Sequence, residues 1–262
     1  MSGAGTRPAV RRRVVHVMGM PVSVALRGRH AEGPAADRAW DRVVAELQHV
    51  DATFSTYRAD SVISRLARGE MGVDALPDEV REVLALGEEA RRASDGAFDV
   101  VQRHPDGTET FDPSGVVKGW AIERAARHLR ALEGTDFCLS AGGDMVCHVA
   151  SEDAEPWRVG IEDPHAPARL VAVVPVRDGA VATSGLAHRG DHVVDARSGR
   201  TPTALASVTV VGSSLTWADI DATSAFALGA DGRDWLRTRP GETGLVVWAD
   251  GRAEPFAGIG SR

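Results

Sequence analysis

Apolar residues recur along this chain with two different periods, and the period changes midway. Residues 13–27 alternate apolar and polar, as a half-buried strand does. Residues 35–53 place Trp40, Val43, Val44, Leu47 and Val50 three and four apart, which predicts a helix with one apolar stripe. Asp60 is positioned to cap a short helix running through Leu66. Residues 77–94 predict another helix, with Pro77 in its first turn and Val80, Val83 and Leu84 on its core face. A turn-rich stretch, SDGAFDVVQRHPDGTETFDPSG, leads into a long helix over about 115–132, where Val117, Ala121, Ala125, Leu129 and Leu132 repeat every four or three. From 136 onward the pattern turns strand-like, at 136–140, 145–149, 157–161, 169–176, 180–183, 192–195, 206–211 and 244–248. A helix at about 214–228 and a short one at 231–238 interrupt these strands. Helices and strands are partly segregated, without βαβ alternation, which predicts an α+β fold. Residues 1–12 read as a flexible basic tail and 13–262 as a single domain with room for two intimate lobes.

Composition narrows the classes. With 43% hydrophobic and 26% charged residues among 262, the chain has ordinary globular make-up and can bury a core. A net charge of -7 argues against nucleic acid as a partner, since phosphate-backbone binding needs a basic footprint, but leaves room for a local anion site. Cys138 and Cys147 are too few for a disulfide scaffold and read as small buried residues either side of a hairpin turn. No apolar run approaches the roughly 20 residues that cross a bilayer. The segment after Arg11–Arg13 alternates and carries His16, Gly19 and Pro21, unlike a signal peptide, so a cytoplasmic location is expected. Asparagine is absent, and among 30 basic residues one is lysine, Lys118. Arginine replaces lysine on a solvated surface but not where a compact ammonium must fit, which points to a constrained role for Lys118.

Several clusters carry candidate chemistry. In DPSGVVKGWAIERA, a loop with Asp112, Ser114 and Gly115 enters a helix start bearing Lys118. This reads either as an anion site, built from free N–H groups, the helix dipole and one ammonium, or as a helix cap with a lysine reaching to solvent. In SLTWADIDATSAFALG, Asp219 and Thr223 stand at i and i+4, so their oxygens share a side. That pair reads as a partial shell for a hard cation, or as a buried threonine bonded to the preceding turn beside a solvated aspartate. In VATSGLAHRGDHVVDARSGR, His192 is a candidate proton acceptor, although on a regular strand it faces away from Asp195. Gly142 and Gly143 suit a tight hairpin turn, where Asp144 is placed to orient a group, and no dinucleotide fingerprint follows because a strand comes next. Phe98 in SDGAFDV packs under a flat ring or in the core, and Tyr57 in FSTY is able to stack on an aromatic ligand.

Taken together, HVMGMPVSV, FSTYRADSVISRL, GAFDV, DPSGVVKGWAIERA, AGGDM, WRVGIEDP, AVATSG, HVVDARSG and the late ADIDATSAFALG resemble the ApbE family of Mg²⁺-dependent FAD:protein FMN transferases, over about residues 14–250. The resemblance implies a T-fold-related architecture with mixed or antiparallel sheets and packed helices. It implies flavin contacts at Met18, Tyr57, Ala97, Phe98, Asp99, Asp112, Lys118 and Val193, and a Mg²⁺ site from the Gly115 carbonyl, Asp219 and Thr223. The activity implied is transfer of FMN from FAD to a Thr or Ser hydroxyl of an acceptor protein with release of AMP, Asp219 and His192 being the catalytic candidates. An FAD pyrophosphatase and a non-catalytic FAD-binding protein are the alternatives. The chain departs from the family in its short 101–111 segment, in Ser140 before AGGD, and in Asp195-Ala196 where Asp-Pro is usual.

Overall fold

A computed structural model describes residues 9–103, 107–185 and 193–261. Strands β1 (Arg11–Val17) and β2 (Met20–Gly28) open it as a hairpin where one strand was expected. The turn, Met18-Gly19, has φ of 54° and 70°, and it preserves the apolar alternation on both sides. Such a turn favours Asn-Gly. In a chain without asparagine Met18 accepts the left-handed conformation, so the usual turn signal is missing. β1 begins at Arg11, inside the stretch read as tail.

Helices α1 (Pro34–Phe54), α2 (Val62–Ala67) and α3 (Asp78–Ala93) follow. The cap of α2 is Ser61, whose hydroxyl accepts from the Ser64 amide at 3.0 Å, and not Asp60, which pairs with Arg58. A small hairpin, β3 (Val101–Arg103) and β4 (Glu109–Phe111), precedes α4 (Ser114–Arg130). Next come β5 (Thr135–Ala141), β6 (Asp144–His148), the ribbon β7 (Trp157–Glu162) and β8 (Leu170–Val176), then β9 (Asp178–Gly185) and β10 (Leu205–Gly212). Helices α5 (Leu215–Leu228) and α6 (Gly232–Leu236) and strands β11 (Thr243–Trp248) and β12 (Ala253–Ala257) complete the chain. The strand expected at 192–195 does not form over its described part, where Asp195 only bridges Arg200 across a turn. β12 escaped the sequence reading because Pro255 interrupts it, which an edge strand tolerates.

Among the described residues the main sheet is antiparallel throughout, in the order β1-β2-β5-β6-β9-β10-β11-β12. Period-two alternation gives each strand two faces. Val24, Leu139, Val146, Ala182 and Val208 join the helices in the main core, with α1 packed on α4, α4 on α5, and α5 on β9 and β10. The opposite face is apolar too, because Cys147 and Val181 lie under the β7–β8 ribbon with Val159 and Val176. There Cys138 and Cys147 face each other as free thiols with sulfurs 3.6 Å apart. No helix among the described residues is long and apolar enough to cross a membrane.

Helix α5 is buried nearly all round, which overturns the reading of Asp219 as a solvated aspartate. Its Asp221 points elsewhere and accepts from Arg239 Nε at 2.7 Å, under the rings of Trp217 and Trp235. Among the described residues no N–H or hydroxyl reaches Asp221 Oδ1 or Glu242 Oε2, and a proton on the neighbouring Glu242, hydrogen-bonded to Asp221, would satisfy both. Burial and the Asp221 charge push Glu242 up to about 9, so it carries that proton at neutral pH. A folded-state value above the unfolded one means this stabilisation is complete below the usual glutamate range and is lost as pH rises toward 9. Glu242→Gln keeps a donor toward Asp221 but cannot titrate. We expect it to flatten the fall in thermal midpoint between about pH 5 and 9. Parallel thermal scans of both proteins across that range check this, and identical slopes contradict it.

Candidate functional site

The start of α4, the β5–β6 turn, the end of β9 and one face of α5 converge on a cavity of about 420 Å³. That is ample for a nucleotide-sized ligand or a large part of one. Ala97, Phe98, Asp99, Asp112, Gly115, Lys118, Val193, Asp219 and Thr223 all line it, so it gathers these residues from four separate stretches of sequence. Met18 packs instead against the main core, and Tyr57, on the bend between α1 and α2, is 99% exposed; neither lines the cavity. His192, the proposed base, lies outside the described residues. Asp195 is engaged locally, its carboxylate held by Arg197 Nε at 2.8 Å and the Arg197 amide at 3.0 Å. Partial burial opposes its ionisation, yet these Arg197 contacts prevail and hold its pKa below the usual carboxylate range.

Asp112 Oδ1 accepts from the Ser114 amide at 2.9 Å and the Ser114 hydroxyl at 2.5 Å, tying the entry of the helix while still lining the cavity. Gly115 has no Cβ because one would meet the Phe98 ring at 3.0 Å. The ring therefore lies against the first helical turn and forms a flat apolar wall there.

Lys118 does not reach to solvent. Its Nζ lies 2.5 Å from Asp144 Oδ2 and 3.0 Å from Asp219 Oδ1, which are almost fully buried. Asp144 is held by the Thr183 amide at 2.9 Å, and Asp219 Oδ2 by the Gly119 amide at 3.0 Å. A single nitrogen meets both carboxylates here, which is the geometry of a compact ammonium and not of a planar guanidinium with its charge spread over three nitrogens. Burial pushes Asp219 up to about 7, with Lys118 opposing the rise and Asp144 adding to it. Among the described residues, two carboxylates facing one ammonium leave the pocket short of positive charge.

That deficit bears on a metal. Among the described residues, no three His, Cys, Asp or Glu side chains gather as a metal cage. What the cavity offers is the Asp219 carboxylate, the Thr223 hydroxyl, held by Ser184 Oγ at 2.9 Å, and the second lone pair of the Gly115 carbonyl. All are hard oxygen donors, and few in number. The set fits Mg²⁺, which takes one or two protein carboxylates and completes its octahedron with water and phosphate.

Asp144 and Ser184 matter more than the sequence reading allowed, and Glu123 was missed. Its Oε2 accepts from Ser214 Oγ at 2.8 Å, the Thr216 amide at 2.8 Å and Thr216 Oγ1 at 2.6 Å. The available signal was helical phase: Glu123 stands four residues after Gly119 and eight after Gly115, on the face that meets α5.

The profile of the ApbE family matches residues 18–104 and 102–247. An FAD:protein FMN transferase of Vibrio cholerae is 30% identical over 130 residues, 46% of this chain and 39% of that protein. The chain thus matches well under two thirds of that relative's length. A Haemophilus influenzae protein of the same name is 22% identical over 256 residues, covering 75% of this chain and 74% of its own. Among solved structures, the ApbE protein of Thermotoga maritima superposes with a TM-score of 0.81 at 20% identity, covering 95% of this chain and 97% of that one. The apo flavinyl transferase ApbE of Pseudomonas stutzeri gives 0.76 at 23% identity, covering 96% of each. At such identities the likeness establishes the α+β fold.

Proposed function

The chain belongs to the ApbE family, and from that premise we propose that it transfers FMN from FAD to a Thr or Ser hydroxyl of an acceptor protein, releasing AMP, with Mg²⁺ as its metal. The observation that carries this reading is the Lys118–Asp144–Asp219 cluster, set beside a helix start and the Phe98 wall in one cavity. A flavin diphosphate needs those features together: an apolar surface for the ring, and an ammonium beside oxygen donors for a metal at the phosphates.

Each residue then has a task. Phe98, Ala97 and Val193 offer the apolar surface for the isoalloxazine. The α4 start and Lys118 hold the pyrophosphate, and Asp144 fixes the ammonium. Asp219, Thr223 and the Gly115 carbonyl would hold the metal, which when bound would supply neutralisation of negative charge at the pyrophosphate. His192 is the proposed acceptor of the proton from the attacking hydroxyl. Because phosphoryl transfer rests on positioning and electrostatics, the ligating and phosphate-holding groups outweigh the base.

The test is AMP release from FAD with Mg²⁺ and with EDTA, with and without a candidate acceptor, followed by flavin fluorescence of the acceptor on a denaturing gel. AMP together with a fluorescent acceptor band, both lost in EDTA, is the expected result. AMP with only free FMN would make the protein a pyrophosphatase. FAD binding without AMP release under any condition would make it a flavin carrier.

A further inference from the structure

We infer that Glu123 is a positioning residue: it docks the first turn of α5 onto α4 and thereby sets where Asp219 and Thr223 stand in the cavity. The inference rests on the metal site proposed above. Its oxygens come from two helices, Gly115 on α4 and Asp219 and Thr223 on α5. The spacing between them is therefore the spacing between the helices, and Mg²⁺ demands nearly ideal octahedral geometry.

The two helices meet closely at Gly119, where a Cβ would stand 2.8 Å from the Leu215 carbonyl oxygen and 2.9 Å from Asp219 Cβ. One turn further along α4, three donors of the α5 start converge on a single oxygen, Glu123 Oε2. Ser214 is the N-cap of α5: its hydroxyl donates to Glu123 and accepts from the Trp217 amide at 3.3 Å. The carboxylate thus answers an amide that the helix itself leaves unpaired, at the positive end of its dipole. Asp219 lies three residues after Thr216, less than one turn away. Fixing Thr216 against α4 fixes Asp219 against Lys118. Glu123 is not among the cavity-lining residues, so it acts through α5.

The test is Mn²⁺ affinity, measured by calorimetry on the full chain well below the melting temperature. Glu123→Ala should weaken Mn²⁺ binding by roughly 10–100-fold, as loss of a partner behind a metal ligand does. It should also raise the Mg²⁺ needed for half-maximal AMP release more than the KM for FAD. Glu123→Gln, which keeps an acceptor oxygen, and Thr216→Val, which removes one donor, should fall between Ala and wild type. They carry the test if Glu123→Ala does not fold. A purely structural role would lower the thermal midpoint and leave the Mn²⁺ affinity of the folded protein alone. Affinities of all folded variants within about twofold of wild type, with binding lost in Asp219→Ala, overturn the inference and spare the metal site. Equal Mn²⁺ binding by wild type and Asp219→Ala, or none by wild type, overturns the metal site and this inference with it.

Discussion

Asp219→Ala is expected to cut Mg²⁺-dependent AMP release from FAD by about a thousandfold while leaving the protein folded. The activity loss follows from its place: Asp219 is the carboxylate that α5 presents beside Thr223, and among the described residues no three His, Cys, Asp or Glu side chains gather into a cage that would hold the metal without it. The tolerance of the fold follows from charge. Wild type buries Asp144 and Asp219 against one ammonium, and burial already pushes Asp219 up to about 7. Removing Asp219 leaves Lys118 and Asp144 as a balanced pair 2.5 Å apart. Against that gain stands the Gly119 amide, which loses its acceptor. An unmade bond of this kind costs about 1–3 kcal/mol. The thermal midpoint should therefore move by only a few degrees. AMP assays beside thermal scans check both halves, and turnover near wild type would remove Asp219 from the mechanism.

Lys118→Met should damage stability and activity together. It strands two buried carboxylates without a counter-charge, and breaking a buried pair in this way costs about 3–5 kcal/mol. For a domain of this size that lowers the thermal midpoint by roughly 10 °C. The loss is partly offset when one carboxyl takes up a proton, so it should be milder at pH 5 than at pH 8. Lys118→Arg is the sharper test of function. It keeps the charge, but spreads it over a planar group where one Nζ now meets both Asp144 Oδ2 and Asp219 Oδ1. FAD titration and AMP release should both show a loss of about 100-fold in that variant. Normal catalysis by Lys118→Arg would show that any cation suffices and that the lone lysine reflects no constraint.

Local periodicity carried most of the fold. The helices α1, α3, α4 and α5 and most sheet strands follow from apolar spacing, since each must turn one face, or nearly all faces, to a core. The errors fall where a local signal was absent or ambiguous. Met18-Gly19 hid a hairpin because alternation continues across a two-residue turn. Pro255 hid β12 because only edge position excuses a proline. Asp60 and Ser61 are both capping types, and the Ser64 amide found the second.

The sequence by itself determined which residue types were available, and where a helix would start ahead of Lys118 and an i, i+4 oxygen pair would arise, because those depend on neighbours within a turn or two. Lys118 stood out from composition, and Asp219 with Thr223 from helical spacing. Only the tertiary structure decided that Lys118 lies between Asp144 and Asp219, that Ser184 holds Thr223, and that Glu123 anchors α5. The same packing left Tyr57 in solvent and Met18 on the core. The physical reason is that an apolar stripe specifies that a helix will be buried, but not against what. Partners as far apart as Lys118 and Asp219 meet only after α4, α5 and the sheet have packed, and Gly119 permits that approach by lacking a Cβ.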